Sequence, residues 1–218
     1  MPLRVVLFDL DGTLVDTIKD IASALNVALT SVGLPARSVD EVKSFVGEGA
    51  SKLVEKVLGE EKKFLREEVK RRFLEAYSEH PVVESVVYPG VRETLGRLGA
   101  FDKAIISNKW EYLSREILGT FDLLGYFNLI VGSESTADRK PSAVPVIYAL
   151  SRLRAAPREA VMVGDSIYDV QAGSAAGVAT VAVTYGYQDR HLLSGADCLI
   201  EEFTQLPTVL DSLSDKLI

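Results

Sequence analysis

Near the start of the chain, Asp9-Leu10-Asp11-Gly12-Thr13-Leu14-Val15-Asp16 sets two carboxylates two positions apart behind an apolar run. At the exit of a strand, side chains at i and i+2 share a side. Asp9 and Asp11 could therefore face one cavity, provided the chain turns at once. Gly12 permits that turn. Taken alone, an Asp-x-Asp pair is more often a solvated acidic turn. A calcium loop is the other competitor, but it needs glycine at its sixth position and a helix before it. Here glycine is fourth and a strand-like run precedes, so that reading fails. Further polar groups able to do chemistry stand at Ser107-Asn108-Lys109, Lys140-Pro141 and Gly164-Asp165-Ser166-Ile167-Tyr168-Asp169. Each has an ordinary alternative: Ser107 as a strand-end hydroxyl, Lys140 as a solvated charge, Asp169 as an acid favoured by a helix N-terminus.

The elements around these residues decide whether they meet. Residues 3–10, rich in valine and leucine, read as a buried strand. After Pro89-Gly90, helix and strand alternate. Helices are expected over 91–98, 111–118, 143–153 and 169–176, and strands over 103–107, 128–131, 160–163 and 180–183. A short strand at 198–200 and a helix from about residue 204 complete the pattern. Such alternation predicts an α/β, Rossmann-like core, a parallel sheet with helices on both faces. Ligands of such sheets bind at the carboxyl ends of the strands, where the groups at 9–13, 107–109 and 164–169 fall.

Between these parts the rhythm is helical. Ile18, Ile21, Ala22, Leu25, Ala28 and Leu29 form one stripe, ended by Gly33-Leu34-Pro35. Leu53, Val54, Val57 and Leu58 form a second, ended by Gly59, and Phe64, Leu65, Val69, Phe73, Leu74 and Tyr77 a third. With no strand pattern in the stretch, an inserted all-helical domain is expected over 16–81, dividing a core of 1–15 and 82–218.

Composition narrows the classes. The net charge of -7, with no basic cluster, argues against a nucleic-acid partner. No apolar run approaches the ~20 residues that span a bilayer, and the first nine residues lack the features of a signal peptide. Cys198 is the one cysteine, which precludes an intramolecular disulfide and reads as a buried thiol. A cytoplasmic setting is therefore expected. His80 and His191 are the only histidines and no Gly-x-Ser-x-Gly elbow occurs, which argues against a serine hydrolase.

Asp9-x-Asp11-Gly12-Thr13, then Ser107, Lys140-Pro141 and Gly164 to Asp169, resemble in identity and order the motifs of the haloacid dehalogenase-like hydrolase superfamily. That resemblance spans residue 3 to about 187. It implies a phosphatase in which Asp9 attacks phosphorus to form an aspartyl-phosphate, while Asp11 protonates the leaving oxygen and later activates water. It further implies Mg²⁺ held by Asp9, Asp165 and the backbone carbonyl of Asp11, with Asp169 supporting the metal or orienting Lys140. Ser107 and Thr13 would donate to phosphoryl oxygens or to Asp9, and Lys140 would neutralise phosphoryl charge. Pro141 suits the first turn of a helix. The family's second proline, two residues on, is replaced by Ala143.

The helical insert resembles the family's cap. Its Gly47-Glu48-Gly49 loop, Ser107-Asn108-Lys109 and Thr184-Tyr185-Gly186-Tyr187 together resemble the phosphoglycolate phosphatase branch. Gly47, Gly49, Asn108 and Lys109 are the implied substrate-binding residues, for a small-molecule phosphate ester. Glu48 would have to point away or meet a lysine such as Lys52. The competing readings are a pyrophosphatase, a sugar-phosphate phosphatase or mutase, and a phospho-ligand-binding protein without turnover. Quaternary structure is left open.

Overall fold

The computed structural model describes residues 3–216. At its centre lies β1 (Val5–Phe8), buried throughout. The short strands β2 (Val15–Asp16) and β3 (Val86–Val87) pair antiparallel outside the main sheet. The others, β4 (Asp102–Ile106), β5 (Leu129–Val131), β6 (Ala160–Gly164), β7 (Ala179–Val183) and β8 (Cys198–Ile200), join β1 in a parallel sheet of order β5-β4-β1-β6-β7-β8.

Alternate side chains of β1 serve opposite faces, as the pleat requires. Val5 and Leu7 pack with Ala104, Ile106 and Met162 beneath two helices, Val144–Leu153 and Ile167–Ala176. Val6 and Phe8 pack with Ile105, Val161 and Val163 beneath the helices Val91–Arg97, Glu111–Thr120 and Leu206–Lys216. Burying a side chain the size of Leu7 or Phe8 contributes about 1.5–3 kcal/mol. Both faces are thereby sealed, and the strand ends are left as the accessible edge.

In chain order the helices are α1 (Ile18–Ser31), α2 (Val39–Lys43), α3 (Ala50–Leu58), α4 (Arg66–Glu79), α5 (Val91–Arg97), α6 (Glu111–Thr120), α7 (Val144–Leu153), α8 (Ile167–Ala176) and α9 (Leu206–Lys216). The four between β2 and β3 form a roof over the strand ends. Ile21, Leu25 and Leu29 of α1 share a buried cluster with Leu53 and Val57 of α3 and with Val69, Phe73 and Tyr77 of α4. No helix among the described residues is long and apolar enough to cross a membrane.

Several local expectations are corrected. The β2–β3 pair lies where the chain enters and leaves the roof, and two-residue strands leave no periodic trace in a sequence. α2 was not expected either; it starts on a capping box in which Ser38 and Glu41 bond reciprocally. Phe64 leaves the third apolar stripe, since it sits in the 3-10 turn Lys63–Leu65 and is 79% exposed. Pro141 follows a cis peptide bond ahead of the helix, and Pro145 occupies the first turn of α7 instead. α8 begins two residues earlier than expected, which makes Ser166 its cap and Asp169 the third residue. Cys198 is half-buried on the edge strand β8.

Candidate active site

Asp9, Ser107 and Asp165 are each the first residue beyond a strand, β1, β4 and β6 respectively, and these three strands are neighbours. The sheet register alone brings them together. The Asp9 N–H continues the ladder by donating to the Val163 carbonyl at 2.9 Å. Asp9 Oδ1 accepts from the Leu10 N–H at 2.7 Å and pairs with Lys140 Nζ at 2.9 Å. Its Oδ2 accepts no hydrogen bond among the described residues. Gly12 turns the chain at φ 81°, and a Cβ there would collide with the Asp165 carboxylate. Only glycine allows the two motifs to approach so closely.

Lys140 is buried between two acids, 2.9 Å from Asp9 and 2.6 Å from Asp169. Its loop is clamped by Asn108, which donates to the Lys140 carbonyl at 2.9 Å and accepts from the Lys140 N–H at 3.0 Å. Asp169 serves two purposes with two oxygens. Oδ1 takes Lys140, while Oδ2 accepts from the N–H and hydroxyl of Ser166 and so caps α8. Asp165 Oδ1 accepts from the Thr13 hydroxyl at 2.9 Å and Oδ2 from the Tyr187 N–H at 2.8 Å. Thr13 therefore orients Asp165, where a bond to Asp9 or phosphate had been expected.

Burial governs the charges. It pushes the Asp9 carboxyl up to about 7, with Asp169 and Asp11 reinforcing the shift and Lys140 opposing it. Burial, then Asp9 and Asp169, likewise drives Asp165 well above the usual carboxylate range. Burial alone would lower Lys140, but the Asp169 and Asp9 carboxylates outweigh it and hold the ammonium above its ordinary value.

On the opposite side, Asp11 Oδ1 accepts from the Thr17 hydroxyl at 2.6 Å and pairs with Lys109 Nζ at 3.1 Å. Lys109 also donates to the Tyr77 hydroxyl of α4 at 2.7 Å, and the Ser107 hydroxyl accepts its backbone N–H at 3.2 Å. Burial opposes the Lys109 charge, yet Asp11 and Tyr77 more than compensate. Tyr187 receives the Thr17 N–H at 2.8 Å and donates to Asp16 at 3.2 Å, tying this side to the foot of α1. Sequence reasoning missed Thr17 as a site residue, read Tyr77 as core alone, and gave Tyr187 only as part of the Thr184–Tyr187 motif without a partner; Thr17 and Tyr77 reach the site only through the folded β2–β3 crossing and the roof.

The Gly47-Glu48-Gly49 loop closes the far wall. The Gly47 carbonyl accepts from Asn108 at 2.8 Å, and a Cβ on Gly49 would press on the Asn108 carbonyl. Asn108 is thus engaged with backbone on both sides. Glu48 does meet a lysine, but it is Lys56 at 2.6 Å, together with the Tyr168 hydroxyl at 2.9 Å; Lys52 pairs with Glu55. One cavity is lined by Asp9, Asp11, Ser107, Lys109 and Asp165 at its floor and by Gly47, Gly49 and apolar side chains of the roof.

Asp9, Asp165 and Asp169 can bring carboxylate oxygens within 4.8 Å of one another, all buried. When all are ionised, these three and Asp11 set four carboxylates against Lys109 and Lys140, an excess of negative charge that a divalent cation would offset. An all-oxygen donor set suits a hard ion. The residues present therefore fit a divalent metal.

The carboxyl edge of the parallel sheet thus carries a buried, lysine-flanked aspartate beside a group of acids suited to a cation. Residues 6–183 match the family described as haloacid dehalogenase-like hydrolase. The chain belongs to that family. It is 40% identical over 211 residues to the phosphoglycolate phosphatase of Chromobacterium violaceum, covering 94% of this chain and 95% of that protein. To the phosphoglycolate phosphatase of Aquifex aeolicus it is 43% identical over 187 residues, 85% and 86% of the two chains. Among solved structures, that of a predicted phosphoglycolate phosphatase from Haemophilus somnus superposes with TM-score 0.87 at 29% identity, covering 95% of this chain and 97% of that one.

Proposed function

We propose that this hydrolase cleaves small phosphate monoesters, 2-phosphoglycolate among them, to an alcohol and phosphate through an aspartyl-phosphate on Asp9. The observation that carries this is the division of labour between the two oxygens of Asp9. Oδ1 is pinned by Leu10 and Lys140, which leaves Oδ2 as the oxygen directed at a substrate. The relatives named phosphoglycolate phosphatases support the substrate.

Asp9 Oδ2 attacks phosphorus, the ester P–O bond breaks, and the alcohol oxygen takes a proton from Asp11. Because Thr17 and Lys109 both occupy Oδ1 of Asp11, Oδ2 is the oxygen that carries this proton. Asp11 then takes a proton from water as that water attacks phosphorus, releasing phosphate and restoring Asp9. Lys140 stands beside Asp9, where phosphoryl charge gathers. Mg²⁺, held by Asp9, Asp165 and the Asp11 carbonyl, would keep the buried carboxylates ionised and withdraw charge from the phosphoryl oxygens. Asp169 would act by orienting Lys140.

In this reading residues 16–81 are a cap that excludes water from a core of 1–15 and 82–218. Gly47, Gly49 and the start of α3 would receive the substrate's carboxylate, with Lys109 nearby. Lys109 is the only cationic side chain among the described residues lining the cavity, which leaves the second phosphate of a mutase substrate without a cationic partner. The reading includes a small-molecule partner and a cytoplasmic setting. Phosphate release from 2-phosphoglycolate, hexose phosphates, pyrophosphate and nucleotides, each with Mg²⁺ or EDTA, tests it. Metal-dependent release led by 2-phosphoglycolate is expected. Release led by another compound would move the substrate, and none at all from folded protein would overturn the phosphatase.

A further inference from the structure

We infer that the cavity contains an apolar leaving-group lobe, so that the enzyme also hydrolyses phosphate monoesters of uncharged, apolar alcohols. The inference rests on the phosphatase reading but not on 2-phosphoglycolate as substrate. The floor of the cavity is polar and the wall beyond it is largely apolar. Ile21 of α1, Leu53 of α3, Phe73 and Leu74 of α4, and Trp110 and Leu113 at the start of α6 line the same space as Asp9 and Asp11. These side chains come from both roof and core, so the lobe is bounded on several sides.

Two of the polar side chains near that wall, Lys109 and Asn108, are already engaged. Lys109 is shared between Asp11 and Tyr77. The Asn108 amide donates to Gly47 and Lys140 and accepts from Lys140. A leaving group that extends past the start of α3 therefore meets mainly hydrocarbon. A charged one would lose hydration there without gaining a countercharge beyond Lys109, whereas an alkyl or benzyl group would be removed from water at little polar cost. Pockets that orient a ligand by a few polar groups and hold it by apolar walls have this composition.

The test is a series with leaving alcohols of similar acidity, so that reactivity stays nearly constant while apolar area grows. Ethyl, butyl, hexyl and benzyl phosphate would be compared at equal Mg²⁺, with 2-phosphoglycolate as a parallel arm. The lobe predicts kcat/KM rising roughly two- to fourfold per added methylene until the space is filled. Leu74→Gln, on a half-buried wall position, is expected to flatten the rise and to lower the ratio of hexyl phosphate to 2-phosphoglycolate turnover about tenfold. A wild-type series that is flat or falls with chain length overturns the lobe, whatever the variant does. If no alkyl ester is hydrolysed, the lobe also fails. The 2-phosphoglycolate arm then tells whether the phosphatase reading stands, since its activity alone would preserve that reading.

Discussion

At the rim of the sheet the acids and lysines are buried or half-buried and have fixed partners, whereas the roof, Asp20 apart, keeps most of its charges outside and turns mainly hydrocarbon to the same cavity. Lys140 is held by two acids and clamped by Asn108, and both oxygens of Asp165 and of Asp169 are engaged. On the roof, Lys70 and Arg71 pair with Glu67, Glu68 and Glu75 across exposed turns of α4. Rim residues are fixed by backbone register, because they sit one step beyond paired strands. Roof residues reach the cavity as side chains of helices, and replacing one leaves the strand ends in place. The difference separates chemistry from selectivity.

Substitutions at the two regions should therefore fail differently. Asp9→Asn is expected to lower kcat by about 10⁴-fold or more, as loss of a nucleophile does, with an unchanged circular dichroism spectrum. Steady-state turnover near wild type would break the comparison. Lys140→Met should cost roughly 10²–10³-fold in kcat, comparable to removing one preorganised electrostatic partner, and a loss confined to KM would place the lysine in binding alone. Asp165→Ala should raise the Mg²⁺ concentration needed for half-maximal rate by about 100-fold, and an unchanged metal dependence would remove it from the metal's shell.

The smallest expected effect lies where rim and roof join. Asp20 of α1 is buried and accepts from the N–H groups of Val83, Glu84 and Ser85 and from the Ser85 hydroxyl, fastening α1 to the returning chain. Burial pushes its carboxyl up, but these hydrogen bonds, led by that from the Ser85 hydroxyl, prevail and hold it below the usual range. A depressed folded pKa contributes stability that is present above the unfolded value and lost as pH falls through the folded one. Asp20→Asn should cost about 1–3 kcal/mol at pH 7, read from urea midpoints. The difference from wild type should shrink as the solution is acidified below the carboxylate range. A constant difference across that range would show that charge is not involved.

The alternation of helix and strand, and the acids at strand exits, were legible because hydrophobic period and glycine-bearing turns are local properties. Asp9, Ser107 and Asp165 needed only the rule that parallel strands bring their carboxyl ends together. What lies one bond further was not legible. That Thr13 serves Asp165, that Glu48 meets Lys56 and Tyr168, and that Tyr77 reaches Lys109 all depend on side-chain directions set after the roof packs. Phe64 looked like core because a 3-10 turn breaks the helical phase just before α4. Asp20 fell among the polar positions of an amphipathic helix, and its backbone partners are more than sixty residues away.

The most direct measurement is to quench the wild-type enzyme during turnover of 2-phosphoglycolate with Mg²⁺, reduce with borohydride, and map the product by mass spectrometry. An acyl phosphate on Asp9 would be reduced to homoserine at position 9, absent when substrate is withheld and absent in Asp9→Asn. Homoserine at Asp11 or Asp165 instead, or steady turnover with none at any aspartate, would contradict a nucleophilic Asp9.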